Sequence, residues 1–272
     1  MRSFLRYRPA WRQLLSPTPL TTNISPHTHR PLLSHHAHPH STSTSSADAP
    51  TTPTYPDSVG SGAEHNDLAS YAAYAERTGL DVTSGTYVGT QYEYAVVAAL
   101  ATLGFTLQRI GGRNDYGIDL LGTWQLPTPP TSNPHLLRII VQCKASPSQA
   151  TRIGPQYVRE LEGAFAGAPP GWRSHAPGSN SSVLGFLVAQ KPATKGVRDA
   201  LGRSRWPMGF VSCSRDGRLE QMLWNQKAEE RGLEGLGVGV RFDGESEQRL
   251  VLTWRGKPCV SDGEGQTASG SA

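Results

Sequence analysis

Gly89-Thr90-Gln91-Tyr92-Glu93, then Gly111-Gly112-Arg113-Asn114-Asp115-Tyr116-Gly117-Ile118-Asp119, then Val141-Gln142-Cys143-Lys144 follow one another between Gly89 and Lys144. The first fragment lies in a helical pattern. Glu93, Val96, Val97 and Leu100 recur at i, i+3, i+4 and i+7 and so share a face, in a helix opening at Thr83 or Thr86 and ending near Leu103, before Gly104. A carboxylate at the head of an apolar stripe is costly to bury unless a cation or donors meet it; otherwise Glu93 must reach solvent. Phe105 to Ile110 alternates as a strand and breaks at Gly111-Gly112. Ile118 to Leu121 reads as a short strand, with Ile118 and Leu120 on one face and Asp119 on the other. Leu136 to Lys144 is a longer one. Its Leu137, Ile139, Val141 and Cys143 point one way and Arg138, Ile140, Gln142 and Lys144 the other, which makes Gln142 and Lys144 neighbours.

The flanks extend this pattern on both sides. Upstream, Asn66-Asp67 is a good N-cap for a helix carrying Leu68, Tyr71, Ala72 and Ala75, stopped by Gly79. The Pro-rich segment Thr123 to Pro134 reads as a long hairpin tip. Downstream the pattern predicts a helix over 151–166, with Tyr157, Val158, Leu161 and Phe165 facing a sheet. A Pro/Gly/Ser loop follows over 168–182, then a buried parallel strand over Val183–Ala189. Thr194 caps a helix through Arg203, Met208 to Ser212 is a strand, and residues 217–230 contain a last helix. Val238–Phe242 and Leu250–Trp254 close as a hairpin. Strands separated by helices across residues 66–258 predict one mixed α/β domain without internal repeats.

The 272-residue chain has a formal charge of +4, but that charge is unevenly placed. Residues 1–47 hold five arginines and no acid, and removing them leaves residues 48–272 at −1. Global charge is therefore no argument for a nucleic-acid partner, and any basic face must be local. The Arg-rich, acid-free, Ser/Thr/Pro-rich start reads as a mitochondrial presequence over 1–47, with a short amphipathic helix through Phe4, Leu5, Trp11, Leu14 and Leu15. A disordered linker over 48–65 and a tail over 259–272 bracket the domain. Six of the nine histidines fall in the presequence, where a specific metal site is not expected. No apolar run reaches the roughly 20 residues that a membrane helix needs. The three cysteines, Cys143, Cys213 and Cys259, follow no zinc or disulfide spacing. No Gly-x-Ser-x-Gly elbow suggests a serine hydrolase.

Two carboxylates, a neutral amide and an ammonium suit phosphodiester chemistry. A hard divalent cation held by oxygens stabilises charge on the phosphate and activates water. Asp119 and Glu93 are the carboxylates; the Gln142 side-chain oxygen and the Cys143 backbone carbonyl can add ligands. Lys144 is placed to orient water or neutralise the phosphate. Arg113, in a glycine-flanked loop, can meet a phosphate. Each also has a plainer explanation: Asp119 as a turn cap, Lys144 as a solvated strand end, the glycines as turn formers.

Gly89-x-x-x-Glu93, Gly111-Gly112-x-x-Asp115-x-Gly117-Ile118-Asp119 and Gln142-Cys143-Lys144, with Arg159-Glu160-Leu161-x-Gly163 after them, resemble the Mrr-type branch of the PD-(D/E)XK restriction-endonuclease-like superfamily. Tyr87 to Tyr94, Gly117 to Trp124 and Gln142-Cys143-Lys144 more closely resemble the fungal mitochondrial "required for respiratory growth" protein seven family, over about residues 66–258. The resemblance implies an α-β-β-β-α-β core with a mixed sheet flanked by helices. It implies Asp119 and Lys144 as a catalytic pair, Glu93 as a helix-borne ligand, and Mg2+ or Mn2+ as the metal. Gln142 stands where the motif carries an acid, a variant found in the Mrr branch, so the metal would lean on Glu93 and Asp119. The expected activity is metal-dependent hydrolysis of DNA in mitochondrial genome maintenance, in the matrix. A catalytically inactive protein of the same fold, binding nucleic acid or another mitochondrial partner, is the alternative. A homodimer is compatible with either.

Overall fold

The computed structural model describes residues 5–6, 64–110, 116–126, 136–146, 152–173, 183–243 and 247–259. Arg113, most of the presequence, the linker to residue 63, the loop 127–134 and the tail from 260 lie outside them.

The strands are β1 (Leu5–Arg6), β2 (Phe105–Arg109), β3 (Leu120–Gln125), β4 (Leu136–Lys144), β5 (Val183–Ala189), β6 (Met208–Cys213), β7 (Leu219–Trp224), β8 (Leu236–Asp243), β9 (Glu247–Trp254) and β10 (Lys257–Pro258). The helices are α1 (Leu68–Thr78), α2 (Gly85–Ala101), α3 (Gln156–Gly167), α4 (Lys195–Arg203) and a short α5 (Gln226–Ala228) that runs into a π turn over Glu229–Leu233. A six-stranded sheet has the order β2-β3-β4-β5-β6-β7, and β1-β8-β9-β10 form a second sheet. β2, β3 and β4 run antiparallel, β4, β5 and β6 run parallel, and β7 returns antiparallel. The chain order α2-β2-β3-β4-α3-β5 is thus the expected α-β-β-β-α-β sequence of elements, in a mixed sheet flanked by helices.

Both faces of the sheet are covered, which explains the continuous apolar runs of β5 and β6. On one face Tyr92, Val96, Ala99 and Leu100 of α2 pack with Leu137, Ile139, Val141 and Phe186, together with Leu250 and Leu252 of β9. On the other, Val158, Leu161, Ala164 and Phe165 of α3 and Val197 and Leu201 of α4 pack with Ile140, Leu187 and Phe210. The helix caps follow the sequence. Asp67 accepts from the Ser70 amide, and Thr194 Oγ1 accepts from Val197. α2 is capped by Ser84, between the two threonines expected to open it.

Several expectations change. Trp124 sits in β3, which continues through Gln125 where a loop was expected. Its ring is fully buried, stacks on Phe105 at 4.2 Å, and donates to the Leu103 carbonyl at 2.9 Å. The prolines begin only at Pro127, so composition alone hid the end of the strand. Helix α3 starts at Gln156 and not at 151, because Gly154-Pro155 sets its first turn. Residues 217–230 do contain a helix, the short α5 with its π turn, but the edge strand β7 before it was not expected; α5 is fastened by the buried Asn225, which caps Ala228 and bonds Met208, Leu201 and Trp206. Finally, Leu5 and Arg6, expected in an amphipathic helix, pair antiparallel with Val240 and Gly239 on the side of β8 left open by β9. An unpaired strand edge is a ready template for any extended segment.

His65, placed in the linker, packs into the domain. Its Nδ1 lies 2.7 Å from the Tyr94 hydroxyl, and its ring meets Tyr71 at 4.7 Å and Tyr74 at 5.2 Å. Burial, then the Arg109 charge, lowers the His65 pKa from its ordinary 6.5, against the opposing pull of Glu64. A folded-state pKa below the unfolded one means that the unfolded chain binds the extra proton. The stabilisation is complete above pH 6.5 and falls as pH drops below it. Urea midpoints measured between pH 8 and 5 should therefore decline through this window. His65→Gln should flatten the decline, and a profile unchanged by that substitution would remove His65 as its source. No helix among the described residues is long and apolar enough to cross a membrane.

Candidate functional site

Asp119 stands where strand alternation slips. Leu120 is the cross-strand partner of Val141, yet the Asp119 amide also donates to the Val141 carbonyl at 2.9 Å. Asp119, just outside β3, and Leu120 thus address the same residue of β4, a departure from regular pairing at the strand end. The slip has a visible consequence. Ile118 and Leu120, expected on one face, lie in opposite cores, Ile118 with α3 and Leu120 with α2. Just before them Tyr116 and Gly117 both adopt positive φ, 55° and 77°. This conformation is unusual for a tyrosine, and Tyr116 is held against the backbone of Gly167.

Asp119 Oδ2 accepts the amide hydrogen of Cys143 at 2.6 Å. The carboxylate thereby stands at the end of β4, beside Gln142 and Lys144. Gln142 faces the α3 side as expected, with Nε2 over Gly117. Its side chain is buried, and its Oε1 finds no hydrogen-bond donor among the described residues. An orphaned buried carbonyl costs about 1–3 kcal/mol unless something outside the chain satisfies it. Lys144 extends toward α3, where Nζ pairs with Glu160 Oε2 at 3.0 Å and lies 4.8 Å from the Tyr157 ring centre. Both partners are partly exposed, so this pair is weak and readily exchanged.

Glu93 approaches from α2. Its carboxylate accepts from Arg109 Nε at the end of β2, and Arg109 also reaches Thr90 Oγ1 at 3.3 Å. With the two side chains only 13% and 21% exposed, this pair is the tightest ionic contact near the site. The Cys143 thiol is held protonated. Burial pushes its pKa well up, the Asp119 and Glu93 carboxylates push it further, and Lys144 acts in the opposite sense. Asp119, Glu93 and Lys144 each have their own partner, Glu93 on the α2 side of the sheet and Lys144 on the α3 side.

Asp119 Oδ2 is taken up by the Cys143 amide, Gln142 Oε1 is unsatisfied among the described residues, and Glu93 is engaged by Arg109. Among the described residues no group of three His, Cys, Asp or Glu side chains is placed to hold a metal ion. A cation here would rest on two carboxylates at most, completed by neutral oxygens. Cys143 enters through its backbone amide, and its thiol stays protonated and inert. Arg113 lies outside the described residues.

Sequence reasoning missed two partners. Arg109 was read only as part of an alternating strand, although a basic strand end opposite a half-buried Glu93 is where a counter-charge is needed. The second is Arg215. Its Nη2 donates to the Ser146 carbonyl at 3.1 Å, and Gln190, with its amide oriented to satisfy its neighbours, joins them at 3.3 Å on each side. Gln190 and Lys191 directly follow a parallel strand, where open α/β sheets commonly place ligands; that was the available signal.

A family model described as "Required for respiratory growth protein 7" matches residues 84–135 and 128–241. An uncharacterized mitochondrial protein of Schizosaccharomyces pombe is 29% identical, over 60% of this chain and 61% of its own length. The mitochondrial "Required for respiratory growth protein 7" of Vanderwaltozyma polyspora is 31% identical, over 31% of this chain and 48% of its own. The chain spans about three fifths and about half of these two relatives. No solved structure matches.

Proposed function

We propose that this chain, which belongs to the Required for respiratory growth protein 7 family, is a mitochondrial metal-dependent phosphodiesterase of restriction-endonuclease-like fold. It acts on DNA in the matrix, in maintenance of the mitochondrial genome. The observation that carries the reading is the unsatisfied Gln142 Oε1, buried at the same strand end as the Asp119 carboxylate. A buried acceptor without a donor, at the strand end whose Cys143 amide the Asp119 carboxylate accepts, suits an oxygen-ligated cation better than it suits a packed core. The element order α2-β2-β3-β4-α3-β5 and the relatives named mitochondrial support the rest.

Mg2+ or Mn2+ bound there would supply charge stabilisation at the phosphate and an activated water. Asp119 and Gln142 would hold it, joined by the Cys143 carbonyl and by Glu93 once Arg109 turns away. Lys144 exchanges Glu160 for the phosphate or for the attacking water. Arg113, on the glycine-rich loop, meets the substrate backbone.

One observation favours a second reading, a catalytically inactive protein that binds nucleic acid or a mitochondrial partner. Glu93 is neutralised by Arg109, which leaves a single carboxylate for the metal. The full chain, incubated with labelled single-stranded DNA, duplex DNA and RNA, separates the two. The nuclease reading requires cleavage of DNA that appears with Mg2+ or Mn2+ and disappears with EDTA. Binding with no cleavage under either metal would establish the second reading instead.

A further inference from the structure

Beyond the site itself, the rim formed by the carboxyl ends of β4, β5 and β6 concentrates charge. The register aligns Lys144 with Ala189 and Ala189 with Ser212, so the residues that follow each strand emerge side by side. They include Lys191 after β5 and Arg215 after β6. The start of α4 adds Lys195 and Arg198, and Ile153, which follows Arg152, accepts from Thr194 Oγ1 at 3.5 Å. Three acids in this region are committed, Asp199 to Lys195 at 2.6 Å, Glu160 to Lys144 at 3.0 Å, and Asp216 to Arg218 at 3.2 Å, whereas Glu220 of β7, 3.4 Å from the Ser212 hydroxyl, makes no ion pair among the described residues. Arg152, Lys191, Arg198 and Arg215 make no ion pair among the described residues. In a folded part that is near neutral overall, this is a local excess of positive charge.

The rim is also built and not merely decorated. Arg215 is exposed, yet its guanidinium is fixed from beneath by the Ser146 carbonyl and by Gln190, which is only 7% exposed. Arg198 Nη1 is held by the Ala193 carbonyl at 2.6 Å, and the Ala193 amide by Gln221 Oε1 at 2.8 Å. Guanidinium groups ordered before contact lose little entropy on meeting an anion. Protein interfaces need an apolar centre. Of the exposed large apolar side chains, Leu68, Val82, Leu136 and Phe242 lie elsewhere, and Tyr116 stands three residues before Asp119.

We propose that this rim is a docking track for the phosphate backbone of a nucleic acid, with Arg215 as its fixed point, Lys191 and Arg198 beside it, and Lys144 at its catalytic end. The track deepens the phosphodiesterase reading and rests on it for direction: the backbone runs from Asp119 and Lys144 across β5 to the end of β6. Two strand spacings, about 10 Å, cover about three phosphates of one B-form strand at ~3.4 Å each.

The test measures binding of the full chain to fluorescein-labelled single-stranded and duplex DNA by anisotropy, in EDTA, across a salt series. The triple variant Lys191→Ala/Arg198→Ala/Arg215→Ala should bind about 10- to 100-fold more weakly, with the slope of log K against log salt reduced by about two to three. The control Arg77→Ala/Lys227→Ala/Arg231→Ala removes the same charge elsewhere and should stay within about twofold of wild type. Equal weakening in both variants, or none in the triple variant, overturns the track. So does displacement of DNA by polyglutamate at equal charge concentration, which would mark a surface for acidic protein. If the triple variant lacks the wild-type circular dichroism spectrum, Lys191→Ala alone takes its place, with a slope loss near one. Cleavage is scored separately with Mg2+. Track-dependent binding without cleavage sinks the phosphodiesterase and spares the track, whereas cleavage with indifferent binding does the reverse.

Discussion

Asp119→Asn and Lys144→Gln, each in the full chain, are expected to lower DNA hydrolysis about a hundredfold to ten-thousandfold with little change in stability. Asparagine is the informative choice at 119. Asp119 Oδ2 accepts the Cys143 amide at the end of β4, so alanine would remove a structural hydrogen bond as well as a charge. Asparagine keeps an acceptor of similar shape and loses only the anion that a cation needs. At 144, the pair with Glu160 is partly exposed on both sides and contributes little to folding. A large loss of rate with an unchanged urea midpoint therefore assigns chemistry, and not scaffolding, to both positions. The metal requirement should shift at 119, where half-saturation by Mg2+ should rise. At 144 it should hold, because an ammonium is not a metal ligand. Wild-type rates in both variants would end the assignment of this site, whatever activity the protein showed.

Much of this site could be read from the chain because its parts lie on regular elements. Alternation in β4 places Gln142 and Lys144 on one face, and the burial of Leu137, Ile139, Val141 and Ile140 follows that pattern. Periodicity puts Val96 and Leu100 in the core beside Glu93. What escaped depends on departures from periodicity or on partners distant in sequence. Strict alternation cannot anticipate the slip at Asp119 and Leu120, since such a departure from regular pairing changes the face of every residue beyond it. The Glu93–Arg109 pair links a helix to a strand sixteen residues later, and nothing in local pattern selects Arg109 over Arg113. The Ser146–Gln190–Arg215 group joins three parallel strands whose order only the assembled sheet reveals. Composition misled at Trp124, which is followed by a proline-rich segment yet buried at the centre of a core.

Gly122→Ala should destabilise the fold by about 3 kcal/mol or more, near the upper end for overpacking. Gly122 faces Leu107 of β2 and Ile139 of β4 in the middle of β3. A Cβ added there would stand 1.9 Å from the Thr106 carbonyl oxygen and 2.8 Å from Leu107 Cα. Both are backbone atoms, so no rotamer change relieves the clash and β2 must move away from β3. Gly185 and Gly209 would meet the buried Phe165 and Phe186 rings, and Gly209 the Leu223 carbonyl oxygen as well. Moving β2 would also disturb the stack of Phe105 on Trp124 and the bond from the Ile110 amide to the Asp119 carbonyl, 2.8 Å long. It would carry Arg109 away from Glu93 as well. The site is therefore expected to fail before the fold does, with DNA hydrolysis lost at temperatures where helical circular dichroism persists. Gly163→Ala is the matched comparison. It lies on the exposed side of α3 with no atom within 4 Å of the new Cβ, and should raise stability by roughly 0.5–1 kcal/mol. A urea midpoint for Gly122→Ala equal to wild type would mean that β2 and β3 do not approach as closely as Thr106 and Gly122 indicate, and with it the link from this strand pair to Asp119 would fall.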